Sequence, residues 1–375
     1  MSNLIKRSSF MVIILSLFLV YAAGAVAEIP ALRDAKDPTE KARLQKMIDG
    51  ARSEGQLIWE GSMIEPVHGK YIGKHFKEYY GLPNLDIQYT YTATSKTVTR
   101  VEQLLKAGRT TPDIVWQGGS HAWFKSLISR GKVVKYDSPS YAGYTLSGEA
   151  KLNNPGYWVS NGYCFTPMFN PVAMAKAGLK DFKMDSYWDL TNPKLKGLLS
   201  AHNFSQSLSG SMTAIGWKKV LGEKWFEAIA KLKPTLYLKT SQGREWVASG
   251  EYPISTSHHA KNASVLRKGG TPVTLIYPKE GVVMIPYSSI IMKDGANQNA
   301  VRLFIDYVYS ERGANTIADS GAYIFFGRPG IKSRVPDLLP PWEKIKVIPL
   351  DHNTEIREED IRKIQQYCLD VGWCY

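Results

Sequence analysis

Cysteine is scarce in this sequence. Cys164, Cys368 and Cys374 are the only three in 375 residues, and none sits in a Cys-x-x-Cys or Cys/His spacing. That excludes a zinc module and a dithiol redox centre of the ordinary motif types. Catalytic signatures are missing as well: there is no Gly-x-Ser-x-Gly elbow and no His-Glu-x-x-His. A secreted hydrolase therefore has no starting residue, and no catalytic residue, metal ligand or cofactor is assigned. Acidic residues are outnumbered, 34 against 47 basic ones, for a formal net charge of +13. Beyond the first 27 residues no apolar run reaches the ~20 residues a membrane span needs.

The N-terminus is where the apolar residues concentrate. Lys6 and Arg7 precede a run from Phe10 to Val20 interrupted only by Ser16, and Ala25-Val26-Ala27 supplies small residues at a cleavage site. This reads as a secretory signal, residues 1–27, with export to the periplasm; the run is too short for an anchor helix. Cleavage leaves 348 residues, enough for two lobes with separate cores. Lys6 and Arg7 leave with the signal and no acidic residue does, so the charge falls from +13 to +11. A basic surface suits nucleic acid, an anionic membrane or an acidic solute, and export makes nucleic acid the least suitable; scattered solubility charge is the plainer reading. In an oxidising compartment three cysteines leave at least one unpaired. Cys368 and Cys374 can close a short loop, which would leave Cys164 as a buried free thiol.

Along the mature chain, residues 31–54 carry apolar positions among charges and read as an amphipathic helix outside the core. An α/β pattern follows: strands over Gln56–Glu60, Leu85–Tyr91 and Pro112–Trp116, with helices over Val67–Tyr80 and Lys96–Ala107 between them. Alternating strands and helices imply a parallel sheet with ligand sites beyond the strands' carboxyl ends. Residues 157–171 form an extended crossing. A second unit follows, with strands over Leu198–Ala201 and Pro253–Thr256 and a helix over Met212–Leu221, before Val282–Ile291 crosses back into a helix containing Val301, Phe304 and Val308. The expected division is 28–165 for lobe one, 166–285 for lobe two and 286–375 for the return to lobe one, whose terminal helix, 357–369, packs on the first lobe.

Five motifs in this order resemble extracellular solute-binding proteins of family 1, in the branch of ferric-iron and sugar-phosphate or phosphonate receptors. They are Ala51-Arg52-Ser53-Glu54-Gly55-Gln56-Leu57; Pro112-Asp113-Ile114-Val115-Trp116; Tyr187-Trp188-Asp189-Leu190 with Pro193, Lys196 and Gly197; Ser249-Gly250-Glu251 with Pro253; and Ala300–Ser310 followed by Glu311-Arg312-Gly313. The resemblance implies a type II periplasmic binding fold, two lobes joined by a two-strand hinge with ligand in the cleft, and a membrane permease of an ABC importer as partner. It also marks a departure. Iron receptors of this branch carry an adjacent tyrosine pair after the Gly-Glu-x-Pro strand, where this chain has Ser257-His258-His259-Ala260-Lys261. Hard Fe(III) favours anionic oxygen donors, so an iron role is disfavoured.

Candidate ligand residues lie on the loops after the strands. In lobe one they are Ser62, Thr94, Ser95, Gly119 and Ser120; in lobe two, Ser205, Ser207, Gly210, His258 and His259. The run Ser205–Ser211 precedes a helix, so its hydroxyls and N–H groups suit phosphate or carboxylate, and equally suit plain N-capping. Lys96 adds charge if it turns inward, and Tyr163 and Tyr287 on the crossings serve either packing or ligand. The reading is a monomeric receptor that takes a small anionic or polar organic solute, phosphorylated ones included, with no nucleic-acid partner. A sensor presenting the solute to a membrane kinase is the alternative.

Overall fold

The computed structural model describes residues 28–351 and 354–374; the signal expected over residues 1–27 lies outside them. Ten strands occur among the described residues: β1 Gln56–Gly61, β2 Asp86–Tyr91, β3 Ile114–Gly118, β4 Ser160–Tyr163, β5 Thr166–Phe169, β6 Leu199–His202, β7 Thr235–Tyr237, β8 Ile254–His258, β9 Thr274–Leu275 and β10 Ile285–Ile291. They form two sheets of matching topology, β2-β1-β3-β10-β4 and β7-β6-β8-β5-β9. In each, three strands run parallel in the order second, first, third, and the fourth position is taken by an antiparallel strand. The chain passes from the first sheet to the second through Cys164 and Phe165, between β4 and β5, and returns between β9 and β10.

β1 and β3 are short and largely buried, β2 at the edge of its sheet is mostly exposed, and the loops follow the turn chemistry of the sequence. Gly55 ends the helix Pro38–Glu54 at φ 68°, a left-handed cap that glycine adopts without a Cβ clash. Asp37 caps the start of that helix by accepting from Thr39 N at 2.8 Å. The helix is not peripheral, as its amphipathic pattern suggested. Leu44, Met47, Ile48 and Ala51 are buried, and Glu54 accepts from the N–H groups of Asn299 (2.9 Å) and Ala300 (2.8 Å) at the start of the helix Gln298–Val308. A carboxylate there meets the positive end of the helix dipole.

Asp113, in the Pro-Asp-Ile-Val-Trp motif, holds the first sheet to that same helix. It is fully buried, and its carboxylate accepts from Ile58 N at 2.7 Å, Asn297 N at 2.8 Å and Asn297 Nδ2 at 2.8 Å. Pro112 offers no N–H, so sheet hydrogen bonding begins at Asp113, whose N–H donates to the Ile58 carbonyl at 2.9 Å, and the strand runs from Ile114.

The C-terminal helix corrects an expectation. Glu358–Asp370 packs on the helix Leu208–Leu221 of the second sheet, not on the first lobe. Trp373 decides this: fully buried, it meets Phe204, Trp217, Trp225 and Phe226 and donates from its indole to the His202 carbonyl at 3.1 Å. An aromatic side chain of that size outweighs the pull of any exposed helix face. Cys164 is a free buried thiol, its pKa pushed well up by burial. Tyr80 is buried and the Tyr79 ring packs at a tilt against Tyr307, so this adjacent pair serves packing.

Replacing Asp113 by alanine strands two backbone N–H groups in a dry interior. It is expected to lower the unfolding free energy by about 3 kcal/mol. The measurement is a urea melt, and a loss below ~0.5 kcal/mol would show that the carboxylate is dispensable.

Candidate functional site

The carboxyl ends of β1, β2 and β3 face those of β6, β7 and β8 across the crossings, and the loops between them build the cleft. On the first wall Ser62 is held through its backbone. Its N–H donates to the Trp116 carbonyl at 3.1 Å, and its carbonyl accepts from Ile64 N and from the Tyr287 hydroxyl. Met63 beside it has φ 63°, a left-handed conformation costly for a side chain of that size. Thr94 donates to Gln117 Oε1 at 3.0 Å while Gln117 donates to Thr97 at 2.7 Å, so Thr94 turns toward the sheet. Ser95 and Lys96 are exposed. Gly119, at φ 67°, donates to the Pro286 carbonyl at 2.8 Å, and Ser120 is buried beside it with its hydroxyl 3.4 Å from the Gly118 carbonyl.

The second wall starts as a helix cap. Ser207 Oγ accepts from Gly210 N at 3.1 Å, and Ser205 donates to Asn203 Oδ1 at 2.7 Å. Of the two uses open to this serine run, capping is the one the Ser207 hydroxyl has taken. Ser209 turns the other way and pairs with the Tyr163 hydroxyl at 2.7 Å. Tyr163 lies across Gly118, where a Cβ would stand 2.6 Å from its ring, so only glycine fits there.

Behind that cap three rings stack at the ends of β6, β7 and β8: His202 on Tyr237 (5.4 Å) and Tyr237 on His258 (5.5 Å). His259 and His202 both approach Phe165 of the crossing, at 5.9 and 5.7 Å. His258 Nδ1 meets Asn262 Nδ2 at 3.0 Å. His202 Nδ1, His258 Nε2, His259 Nδ1, Thr256 Oγ1 and Ser257 Oγ are buried without a hydrogen-bonding partner in the protein. Buried polar atoms in a folded protein nearly always have partners, so five at adjoining strand ends are an unusual concentration of open hydrogen-bonding positions. Burial, and secondarily the charges of Lys261 and Arg244, holds His259 down to about 4; burial likewise holds His202 to about 4 and His258 well below the ordinary imidazole range. All three are neutral at pH 7, each with one N–H donor and one acceptor nitrogen.

The two walls touch. A Cβ on Gly119 would stand 3.2 Å from Ser209 Oγ and 3.7 Å from Met212 Sδ. Glu65, at the start of the helix Pro66–Tyr80, pairs with Lys261 of the helix Ala260–Lys268 at 2.6 Å, and Lys261 also reaches the Tyr91 hydroxyl at 3.5 Å. Ser264 of the same helix meets the Tyr323 hydroxyl at 2.6 Å. Burial pushes the Glu65 carboxyl up, but the hydrogen bond and charge of Lys261 outweigh it and leave it below its ordinary value. The sequence reading missed Glu65 and Lys261 as a bridge, Tyr163 with Ser209, and His202 as a third imidazole. His202 carried a usable signal, since it follows a predicted strand as His258 does. Glu65 and Lys261 are 196 positions apart, with no local pattern to join them.

With this geometry in hand, similarity to known proteins is informative. Residues 60–322 match the family described as bacterial extracellular solute-binding protein. An uncharacterized protein of Haemophilus influenzae is 26% identical over 261 residues, which are 66% of this chain and 74% of that protein. Among solved structures, the periplasmic binding protein AfuA from Actinobacillus pleuropneumoniae, with fructose-6-phosphate bound, superposes with a TM-score of 0.66 at 19% identity, covering 84% of this chain and 98% of that one. Iron-bound HitA from Pseudomonas aeruginosa gives 0.63 at 18% identity over 84% and 99%. The substrate-binding protein of an ABC transporter from Agrobacterium tumefaciens gives 0.68 at 13% identity over 84% and 94%. These likenesses show the fold, the two-lobed type II periplasmic binding architecture that the motifs implied. The chain belongs to the bacterial extracellular solute-binding proteins, a family that binds solutes and does no chemistry on them.

Proposed function

We propose that this protein is the periplasmic receptor of an ABC importer, that it takes a small anionic or polar organic solute, phosphorylated ones included, between its lobes, and that it presents this solute to a membrane permease as a monomer. The observation that carries the reading is the group of five partnerless buried polar atoms at the lobe-two strand ends. Neutral imidazoles and hydroxyls donate hydrogen bonds to a sugar hydroxyl or a phosphate oxygen without a buried charge to compensate. Lys261, Arg244 and the start of the helix Leu208–Leu221 add positive potential around them. AfuA with its bound fructose-6-phosphate supports a phosphorylated solute, and the Agrobacterium protein supports an importer as partner. The same set argues against iron, because the stretch after β8 offers neutral nitrogen and an ammonium in place of phenolates. Adding ferric citrate to the apoprotein is expected to give no phenolate-to-iron visible band; a strong band with a stoichiometric endpoint would overturn this part of the reading.

Two substitutions separate recognition from capping. His258→Ala is expected to weaken binding of a solute found by thermal-shift screening of sugar phosphates by roughly ten- to a hundredfold, the worth of one or two hydrogen bonds. Ser207→Ala is expected to lower stability without solute by ~1 kcal/mol through loss of its cap. If His258→Ala leaves the affinity unchanged, the imidazole cluster is not the ligand surface.

The bridge between the lobes biases closure by a small factor. Lys261→Ala is expected to raise the radius of gyration in solution scattering by favouring open molecules, and saturating solute to reverse the rise. The pH dependence follows from the lowered Glu65 carboxyl: its contribution to closure is present above the ordinary carboxylate value and is lost as pH falls through the lowered one. Scattering from pH 7 down to pH 3 should therefore show a small shift toward open molecules only at the acid end, and a Lys261→Ala variant, which lacks the pair, should show no such step.

A further inference from the structure

The C-terminal tail ends in a tight reversal that no part of the binding reading uses. After the helix Glu358–Asp370, Gly372 takes φ 75°, and Trp373 N and Cys374 N both return to the Cys368 carbonyl, at 2.9 and 3.0 Å. This is a glycine-terminated helix end of the left-handed type. Its effect is to bring residue 374 back beside residue 368. A backbone hydrogen bond of that length sets the two Cα atoms roughly 5–6.5 Å apart, inside the range a disulfide spans. Both side chains are buried in the same apolar cluster, and both thiols are free in this structure. The Cys374 sulfur also lies against the backbone N–H groups of Phe204 and Ser205, and Gln365 of the same helix reaches Ser211 Oγ at 3.1 Å. The tail thus backs the loop 203–211, whose other side faces Tyr163 and the cleft.

We propose that Cys368 and Cys374 form a disulfide that clasps the C-terminal tail onto the loop 203–211 of the second lobe. Cys374 is the attacking thiol, since the Cys368 thiol and the neighbouring N–H groups favour its thiolate. It attacks the disulfide of an envelope dithiol oxidase, forming a mixed disulfide and releasing one oxidase thiolate. Cys368, deprotonated, then attacks the Cys374 sulfur and releases the second. Two thiols lose two protons and two electrons, and the oxidase disulfide gains them as a dithiol. Cys164 stays reduced: it lies in a separate cluster with Leu152, Met168 and Tyr323, and burial disfavours its thiolate.

The closed loop is short, so the bond stabilises by restricting the tail more than by restricting the whole unfolded chain. The test uses the purified mature protein equilibrated with an oxidised glutathione buffer, which separates the chemistry from the compartment that the export reading supplies. Trypsin leaves both cysteines on the peptide Ile364–Tyr375, so the bond shows as a peptide lighter by two hydrogen atoms, with a single free thiol elsewhere after denaturation. Reduction is expected to lower Tm by roughly 3–8 °C and to raise amide exchange in both the tail and residues 203–211. The double variant with Cys368→Ser and Cys374→Ser should match the reduced protein and be insensitive to reductant. Three free thiols after oxidation would overturn the proposal, as would an oxidised protein whose Tm and exchange do not respond to reduction. Formation in the buffer but not in protein recovered from the periplasm would overturn export or oxidase access instead.

Discussion

The constraint on which the rest depends is the antiparallel insertion of β10 between β3 and β4. Every residue of Ile285–Ile291 is buried, and the strand pairs with β3 through Tyr287↔Gly118 and with β4 through Tyr287↔Asn161. The chain can complete its first sheet only by returning from the second. That makes the crossings permanent and fixes the strand ends of the two lobes opposite each other. The same strand then sets the first wall of the cleft: the Pro286 carbonyl holds Gly119, and the Tyr287 hydroxyl holds Ser62. Binding geometry and fold closure are therefore one arrangement of hydrogen bonds. A change in β10 would move both.

Much of the fold was legible because its signals are local. The helix Pro66–Tyr80, expected from Val67, and β1 and β2, expected to within one residue at each end, rest on periodicity and glycine stops that neighbours in sequence determine. The crossing near 164 was legible from its extended character and the Asn170-Pro171 turn. What stayed hidden depends on partners far away. The helix Thr240–Ser249 opens with Thr, Ser, Gln and Gly and shows no apolar face until Trp246 and Val247. The terminal helix shows that it has an apolar face but not what covers it; the aromatic cluster around Trp217 and Trp225 makes that choice through Trp373, which lies beyond the helix.

The candidate site divides along the same line. Position after a strand drew attention to Ser62, Gly119, Ser120 and His258, and the structure places these residues at the ends of β1, β3 and β8. Side-chain direction is a different matter. The Ser207 hydroxyl is taken by its own helix start, where a ready partner lies within three residues, the Thr94 hydroxyl is taken by Gln117 of β3, and Ser95 is exposed. A sequence shows that such a residue can bind an anion; it does not show that the residue is still available. Tyr163 and Ser209 are available to each other only because Gly118 leaves room for the ring.

Magnitudes then say what kind of receptor this is. The bridge between the lobes is one partly exposed ion pair, Glu65 with Lys261, helped by contacts such as Ser264 with Tyr323 and Tyr163 with Ser209. A pair of that exposure contributes ~0–1 kcal/mol, and each neutral hydrogen bond ~0.5–1.5 kcal/mol before the entropy of ordering is subtracted. Such contacts bias closure by a small factor. They cannot drive a switch from mostly open to mostly closed, which takes about 5.5 kcal/mol of differential affinity. The remainder has to come from a solute that touches both walls at once, and the neutral histidines suit that role. Kept uncharged by burial, they cost little to enclose, and on the proposed reading a polar solute against the strand ends of the second lobe would satisfy their open hydrogen-bonding positions.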